Sequence, residues 1–261
     1  MDFRARYGPW ALVAGASEGL GAELARQLAA RGLDLILVSR RAGALDALGE
    51  ELRAASGVAT RTLELDLADP ELGAKVAAAT RDLEVGLVAY NAAYSTIGPF
   101  LDTPLEAHLR TVDVNCRGPL VLAHQLGGAM RARGRGGILL MTSLAASQGS
   151  PMIATYAATK AFELVLAEGL WDELATSGVD VLACRAGATR TPGFASSKPV
   201  GATRMQEPAP VVRAALEALG RRPSVVPGAF NRFAAFLLAR LLPRSTAVRI
   251  MGRATRKLYS L

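Results

Sequence analysis

Seven short runs of apolar, β-forming residues alternate with longer stretches of helical periodicity, and no other feature limits the fold of this chain as strongly. The runs are Ala11 to Ala14, Leu35 to Val38, Arg61 to Leu65, Gly86 to Ala89, Ile138 to Thr142, Val179 to Cys184 and Ser224 to Val226. Strands and helices alternating along a chain imply parallel strands joined by crossover helices. The fold class expected is therefore α/β, a doubly wound sheet of about seven parallel strands with helices on both faces. Asp69 ahead of Pro70 predicts a capped helix start, and Thr103, Pro104 and Glu106 predict a capping box. Long helices are expected over residues 105 to 133 and 155 to 176. An irregular loop is expected over residues 190 to 210, where Pro192, Gly193, Pro199, Gly201, Pro208 and Pro210 break any period. With 261 residues and no linker-like stretch, residues 1–261 read as a single domain.

Between the first run and the first helical stretch lies Gly15-Ala16-Ser17-Glu18-Gly19-Leu20-Gly21. Glycines here allow a tight turn and let backbone amides approach a pyrophosphate at the positive end of the next helix. Such turns elsewhere merely reverse a chain. Its place between strand and helix, at the head of an alternating pattern, is what points to a dinucleotide held by Gly15, Ser17, Glu18, Gly19, Leu20 and Gly21. The second run ends in Ser39-Arg40-Arg41, with no carboxylate to accept hydrogen bonds from an adenosine ribose. Arg40 instead suits a 2′-phosphate through a charge-assisted hydrogen bond, and NADP(H) is the expected cofactor. A solvated basic pair at a helix entrance is the plainer reading of the same residues.

Tyr156 and Lys160 stand four residues apart on one face of a predicted helix, near enough to interact. An unperturbed phenol ionises at about pH 10, too high for acid–base work at neutrality, and a neighbouring ammonium favours its charged form. Alone, the pair is no more than a lysine beside a tyrosine. Ser143, however, follows the fifth run, at the carboxyl end of the sheet where open α/β folds bind ligands, and its hydroxyl can orient a substrate oxygen. In the preceding helical stretch Pro119 has no amide hydrogen for the carbonyl of Asn115, which frees that acceptor and favours a kink.

The Gly-x-x-x-Gly-x-Gly spacing, followed in order by Asn115, Ser143 and Tyr156-Ala157-Ala158-Thr159-Lys160, resembles the short-chain dehydrogenase/reductase family over residues 8 to 192. The resemblance implies a Rossmann-like fold and hydride transfer between NADP(H) and a carbonyl or secondary alcohol. It assigns the proton to Tyr156, the nicotinamide ribose to Lys160, the carbonyl oxygen to Ser143 and a supporting water chain to Asn115. It also implies an adenine contact at Asp66 and Leu67, a ribose contact at Asn91, and Gly187, Thr189 and Thr191 over the nicotinamide. A homodimer or homotetramer built on the two long helices is implied as well. The chain departs from the family pattern at Ala14 in place of threonine, at Tyr90 and Ala93 in the Asn-Asn-Ala-Gly segment, and at Ala186 in place of proline. Those departures keep open a second reading, a non-catalytic NADP-binding sensor or regulatory protein. Epimerase relatives carry a larger substrate region, and enoyl reductases separate the tyrosine and lysine more widely.

Nine basic residues and no acidic ones fall between Ala218 and Leu261, more than the whole net charge of +7. The excess belongs to a tail, so no nucleic acid partner is expected. Within residues 228 to 261, Phe233, Phe236, Leu237, Leu241 and Leu242 form an apolar stretch interrupted by Arg240. Packing within the fold or a dimer is its plain reading, and peripheral contact with an anionic membrane the second. Loose similarity to the tails of relatives acting on steroids or long-chain 3-oxoacyl thioesters implies a large hydrophobic carbonyl or alcohol substrate, met by loops near Tyr94, Leu144, Gln148 and Phe194. His108 and His124 lack ligand spacing, so no metal is expected. Cys116 and Cys184 read as free thiols. No apolar run approaches the roughly 20 residues that span a bilayer, and the residues before Trp10 lack a secretory pattern. Cytoplasmic residence is the expectation, with peripheral membrane contact as its variant.

Overall fold

A computed structural model describes residues 2–197, 199–200 and 205–260. All seven expected strands are present: β1 Trp10–Ala14, β2 Asp34–Ser39, β3 Thr60–Glu64, β4 Val85–Tyr90, β5 Gly136–Ser143, β6 Val179–Ala186 and β7 Ser224–Val225. They pair in parallel in the order β3-β2-β1-β4-β5-β6-β7. Successive side chains of a strand point to opposite faces, so each inner strand feeds two cores. Val13, Leu35, Leu37 and Leu182 pack on one face with Leu24 and Leu28 of helix α2, Gly19–Ala29, Leu45 of α3, Ala42–Ser56, and Val211 and Val212 of α9, Pro208–Ala218. Leu12, Ile36, Val38 and Ile138 pack on the other with Val76 of α4, Leu72–Thr80, Leu122 and Leu126 of α6, Gly118–Arg133, and Leu164 of α7, Ala154–Glu173. The strand order reverses between β1 and β4, which opens a crevice at their carboxyl ends.

The long helical stretch before β5 is built from α5, Leu105–Val112, a π-helical turn over Asp113–Arg117, and α6. The disturbance expected at Pro119 thus takes the form of a π turn, and Tyr90 fixes it by donating its hydroxyl hydrogen to the Val114 carbonyl at 2.5 Å. Gly118 is required there, because a Cβ would collide with the Tyr90 hydroxyl. The expected capping box at Thr103 and Glu106 does not form: α5 starts after Pro104 with no side-chain cap, and the Thr103 hydroxyl donates to Pro99 O at 3.1 Å. A 3₁₀ turn over Phe100–Asp102 delivers the chain to α5 and engages that hydroxyl first. Asp69 caps a turn rather than the helix itself, accepting from Glu71 N at 2.7 Å while α4 begins at Leu72.

The stretch expected as a loop from 190 to 210 is partly ordered. Thr191 accepts from Phe194 N at 3.1 Å and starts the short α8, Pro192–Ser196. Thr189 and Gln206 pair as an isolated bridge, and Gly201 lies outside the described residues. At the amino end, α1, Phe3–Tyr7, is fastened to β6: Asp180 accepts from Arg6 at 2.9 and 3.0 Å and from the Tyr7 hydroxyl at 2.7 Å. The tail forms α10, Ala229–Phe236, a π turn over Leu237–Leu241, and α11, Arg244–Tyr259. Gly252 of α11 lies against Pro151, and Thr255 pairs with Ser150 at 3.3 Å, so α11 packs on the link between β5 and α7. Among the described residues no helix is long and apolar enough to cross a membrane.

Candidate active site

The turn after β1 closes so tightly that only glycine fits it. Gly15 and Gly19 take φ of +83° and +55°, and a Cβ on Gly21 would collide with the Gly15 carbonyl. Asn91 holds the turn from the β4 side, its amide nitrogen donating to Gly15 O at 3.1 Å and its backbone N–H to Ala14 O at 2.9 Å. β1 and β4 are therefore tied at this point without a hydroxyl at position 14. Thr191 reaches the same turn from β6: a Cβ on Gly19 would lie 2.9 Å from its side chain. A cradle emptied of side chains, opening an 11-residue helix that starts at Gly19, fits the pyrophosphate of a dinucleotide.

Of the two arginines after β2, it is Arg41 that turns toward this cradle. Its guanidinium donates to the Ser17 hydroxyl at 3.0 and 3.2 Å and to the Glu18 carboxylate at 2.6 Å. Arg40 is exposed, and its charge acts on Asp66. Burial pushes the Asp66 carboxyl up, but the Ala68 amide, Arg110 and Arg40 outweigh it and hold the group below its ordinary range. Arg110 donates to Asp66 at 2.7 Å, and Leu67 is buried beside it. Near the end of β6, Thr189 is buried and donates to Gly187 O at 2.9 Å, and Gly187 lies tight against Asn231 of α10. The sequence singled out Arg40 alone, since adjacent basic residues at a strand exit do not reveal which faces the turn.

Ser143 ends β5, and its Oγ accepts from Ala145 N at 3.1 Å, capping a 3₁₀ turn over Leu144–Ser147. Tyr156 and Lys160 occupy the first turns of α7, with the Lys160 nitrogen 5.9 Å from the Tyr156 ring centre. That nitrogen is aimed inward. It donates to Met141 O at 2.9 Å and to both carboxylate oxygens of Glu163 at 2.9 Å. Lys160 is 2% exposed and Glu163 0%. Asn115 is buried and bonds three ways: it accepts from Tyr94 N at 2.8 Å and donates to Tyr94 O and Thr159 Oγ1, each at 2.9 Å. It thereby ties the π turn to α7 one residue from Lys160. Gln148, just past the 3₁₀ turn, is buried with neither polar side-chain atom partnered. Glu163 is the residue sequence reasoning missed, although a carboxylate three positions after the lysine was a legible signal. His108 stacks on Phe100 and bonds Phe100 O and Thr155, a packing role, and no group among the described residues is arranged to hold a metal ion.

The sequence profile of the short chain dehydrogenase family matches residues 9–200. The chain belongs to that family. This short-chain dehydrogenase is 34% identical over 235 residues to the 7beta-hydroxysteroid dehydrogenase of Clostridium sardiniense, covering 89% of this chain and 90% of the relative. It is 39% identical over 179 residues to the very-long-chain 3-oxoacyl-CoA reductase of Podospora anserina, covering 67% of this chain and only 53% of that longer protein. A structure solved to explain 7beta-hydroxysteroid dehydrogenase stereoselectivity superposes with a TM-score of 0.91 at 32% identity, covering 96% of this chain and 99% of the other. A short-chain dehydrogenase from Sphingobium yanoikuyae in complex with NADPH superposes at 0.78 with 33% identity, covering 89% and 94%. The protein is therefore a short-chain dehydrogenase with a seven-stranded Rossmann-like sheet, an oxidoreductase among dehydrogenases and reductases.

Proposed function

We propose that this short-chain dehydrogenase interconverts a ketone and a secondary alcohol on a large hydrophobic substrate, using NADP(H). The reading is carried by one meeting of elements: the carboxyl end of β5, bearing Ser143, lies against the first turns of α7, bearing Tyr156 and Lys160. In reduction, the Tyr156 phenol gives its proton to the carbonyl oxygen, and in oxidation it takes that proton back. Ser143 orients the oxygen through its hydroxyl. Lys160 holds the nicotinamide ribose and favours the charged phenol. Asn115 keeps the π turn pressed on α7 and supports proton resupply. NADPH, when bound by Gly15 to Gly21, Asp66, Leu67, Asn91 and the Gly187 to Thr191 segment, supplies the hydride.

Preference for the phosphorylated cofactor is supported by the lack of any carboxylate in Ser39-Arg40-Arg41 and by the NADPH held in the Sphingobium yanoikuyae relative. The substrate class is supported by relatives named for steroid and very-long-chain acyl substrates. We also infer that two copies pair through α5 and α7, on which Leu105, Leu109 and Val165 lie exposed. Peripheral membrane contact would fall to Phe233, Phe236 and Leu241, which are exposed beside Arg232 and Arg240.

Purified protein should consume NADPH with hydrophobic ketones drawn from steroids, diketones and long-chain 3-oxoacyl thioesters. Tyr156→Phe should lose turnover by about 10²–10⁴-fold, the usual worth of a general acid, with NADPH binding retained. Docking of Lys160 on Glu163, together with the departures at Ala14, Ala93 and Ala186, favours a nucleotide-binding protein without turnover, and NADPH binding with no turnover on any class would select that reading. Absence of NADPH binding would remove both.

A further inference from the structure

Lys160 and Glu163 form a buried ion pair that the reaction as described does not use. An ammonium has three hydrogens, and here each has a partner: Met141 O and the two oxygens of Glu163, all at 2.9 Å. While docked in this way, Lys160 has no hydrogen left for a ribose hydroxyl or for Tyr156. The pair also carries no net charge, so its field at Tyr156 is that of a dipole and not of a free cation. Two elements lock the helix around it, since Thr142 of β5 donates to Lys160 O at 2.7 Å and Asn115 of the π turn donates to Thr159 at 2.9 Å.

We propose that Glu163 is a positioning residue: it stores Lys160 in a docked, neutral pair, and nucleotide binding draws the ammonium away as the buried carboxylate takes up a proton from solvent. The proposal rests on the NADP(H) reading above. Its balance is simple. The ammonium moves with its three hydrogens, the two hydrogen bonds from Lys160 to Glu163 are given up and one to the nucleotide ribose is formed, and the carboxylate gains one proton from solvent and becomes neutral. A carboxylate left alone in a dry core is far costlier than a carboxylic acid there. The groups that face Glu163 all work in that direction once Lys160 has left. Tyr90 of β4 and the Cys116 thiol of the π turn are both pushed up, first by burial and then by Glu163, and neither offers a positive charge. Burial already drives the Glu163 carboxyl above the ordinary carboxylate range against the pull of Lys160.

The test is calorimetry of NADPH binding near pH 7 in buffers of differing ionisation enthalpy, on wild type, Glu163→Gln and Glu163→Asp. Wild type should take up a fraction of a proton per site, up to about half near pH 7 because the docked carboxyl is already pushed up to about 7, by linkage between binding and a group that gains a proton. Glu163→Gln should lose that uptake, whereas Glu163→Asp, which keeps the charge, should retain it. A carboxylate serving only to fill the core would take up no proton on nucleotide binding. The wild-type measurement needs no variant to fold, and absence of proton uptake by wild type overturns the proposal. So does equal uptake by wild type and Glu163→Gln, which would assign the proton to another group. A protein that binds NADPH and turns over without the uptake refutes only the role of Glu163. One that does not bind NADPH refutes the NADP(H) reading itself.

Discussion

Under the proposed NADP(H) reading, the Ser17 and Glu18 contacts of Arg41 are ones that a 2′-phosphate would compete for. Its guanidinium is shared between the Ser17 hydroxyl and the Glu18 carboxylate at the lip of the glycine turn, so it is held in place before any ligand arrives. A phosphate entering there would have to displace the Glu18 carboxylate from a donor fork already oriented beside a hydroxyl. Arg41→Ala should weaken NADPH binding by about 10–100-fold, in line with about 1.5–3 kcal/mol for hydrogen bonds to charged groups, and should change NADH binding much less. Fluorescence titration with the two nucleotides decides it, and an equal loss for both would place Arg41 outside the phosphate site. At this scale the sequence shows which side chains are present and not where they point. That a basic pair follows β2 is visible in the letters, but the direction each side chain leaves the strand is set by the turn into α3. For Glu163 the spacing from Lys160 was legible and the burial was not. It sits between Phe162 and Leu164, and only the placement of α7 against β5 and the π turn converts a polar position of a helix into a fully buried one.

Among the elements, α1 shows how a short segment can matter when its contacts are long-range. Asp180 accepts from Arg6 and from Tyr7, and Tyr7 is 6% exposed, so removing the carboxylate leaves a buried phenol hydroxyl without its partner. Asp180→Ala should destabilise the protein by about 2 kcal/mol, within the cost of an orphaned buried group and a broken part-buried pair. Urea unfolding followed by circular dichroism measures this, and a change below about 0.5 kcal/mol, the ordinary scatter of surface substitutions, would contradict the clamp. α1 left no trace in the sequence because five residues carry no readable period and its anchor lies far along the chain. The strands were legible for the opposite reason. Parallel strands buried on both faces, such as Val85–Tyr90, need apolar residues at every position, and the observed strands differ from the expected runs by only one or two residues at most ends. Caps were the weak point. Thr103 has the right identity for a cap but spends its hydroxyl on the 3₁₀ turn before it, and α8 was concealed within a stretch whose prolines suggested no structure at all.

For the molecule as a whole, the basic tail is a structural member and not only a charge reservoir. α11 buries Ala247, Gly252 and Thr255, and it presses on Ser150 and Pro151, which lie between Ser143 and Tyr156. Removing residues 244 to 261 should therefore lower the melting temperature by roughly 4–8 °C, equivalent to about 2 kcal/mol for a chain of this size. It should also lower kcat/KM several-fold, since the link between the two candidate residues loses its support. Unchanged melting and unchanged kcat/KM on truncation would show that α11 is an ornament. The clamp at Asp180 has its own consequence, one of timing during synthesis. The strands β1 to β4 leave the ribosome early and pair with one another, whereas Arg6 waits for a partner 174 residues downstream. At roughly 5–20 residues per second that delay is on the order of ten to thirty seconds. α1 is thus made long before its anchor and is fastened only once β6 has emerged.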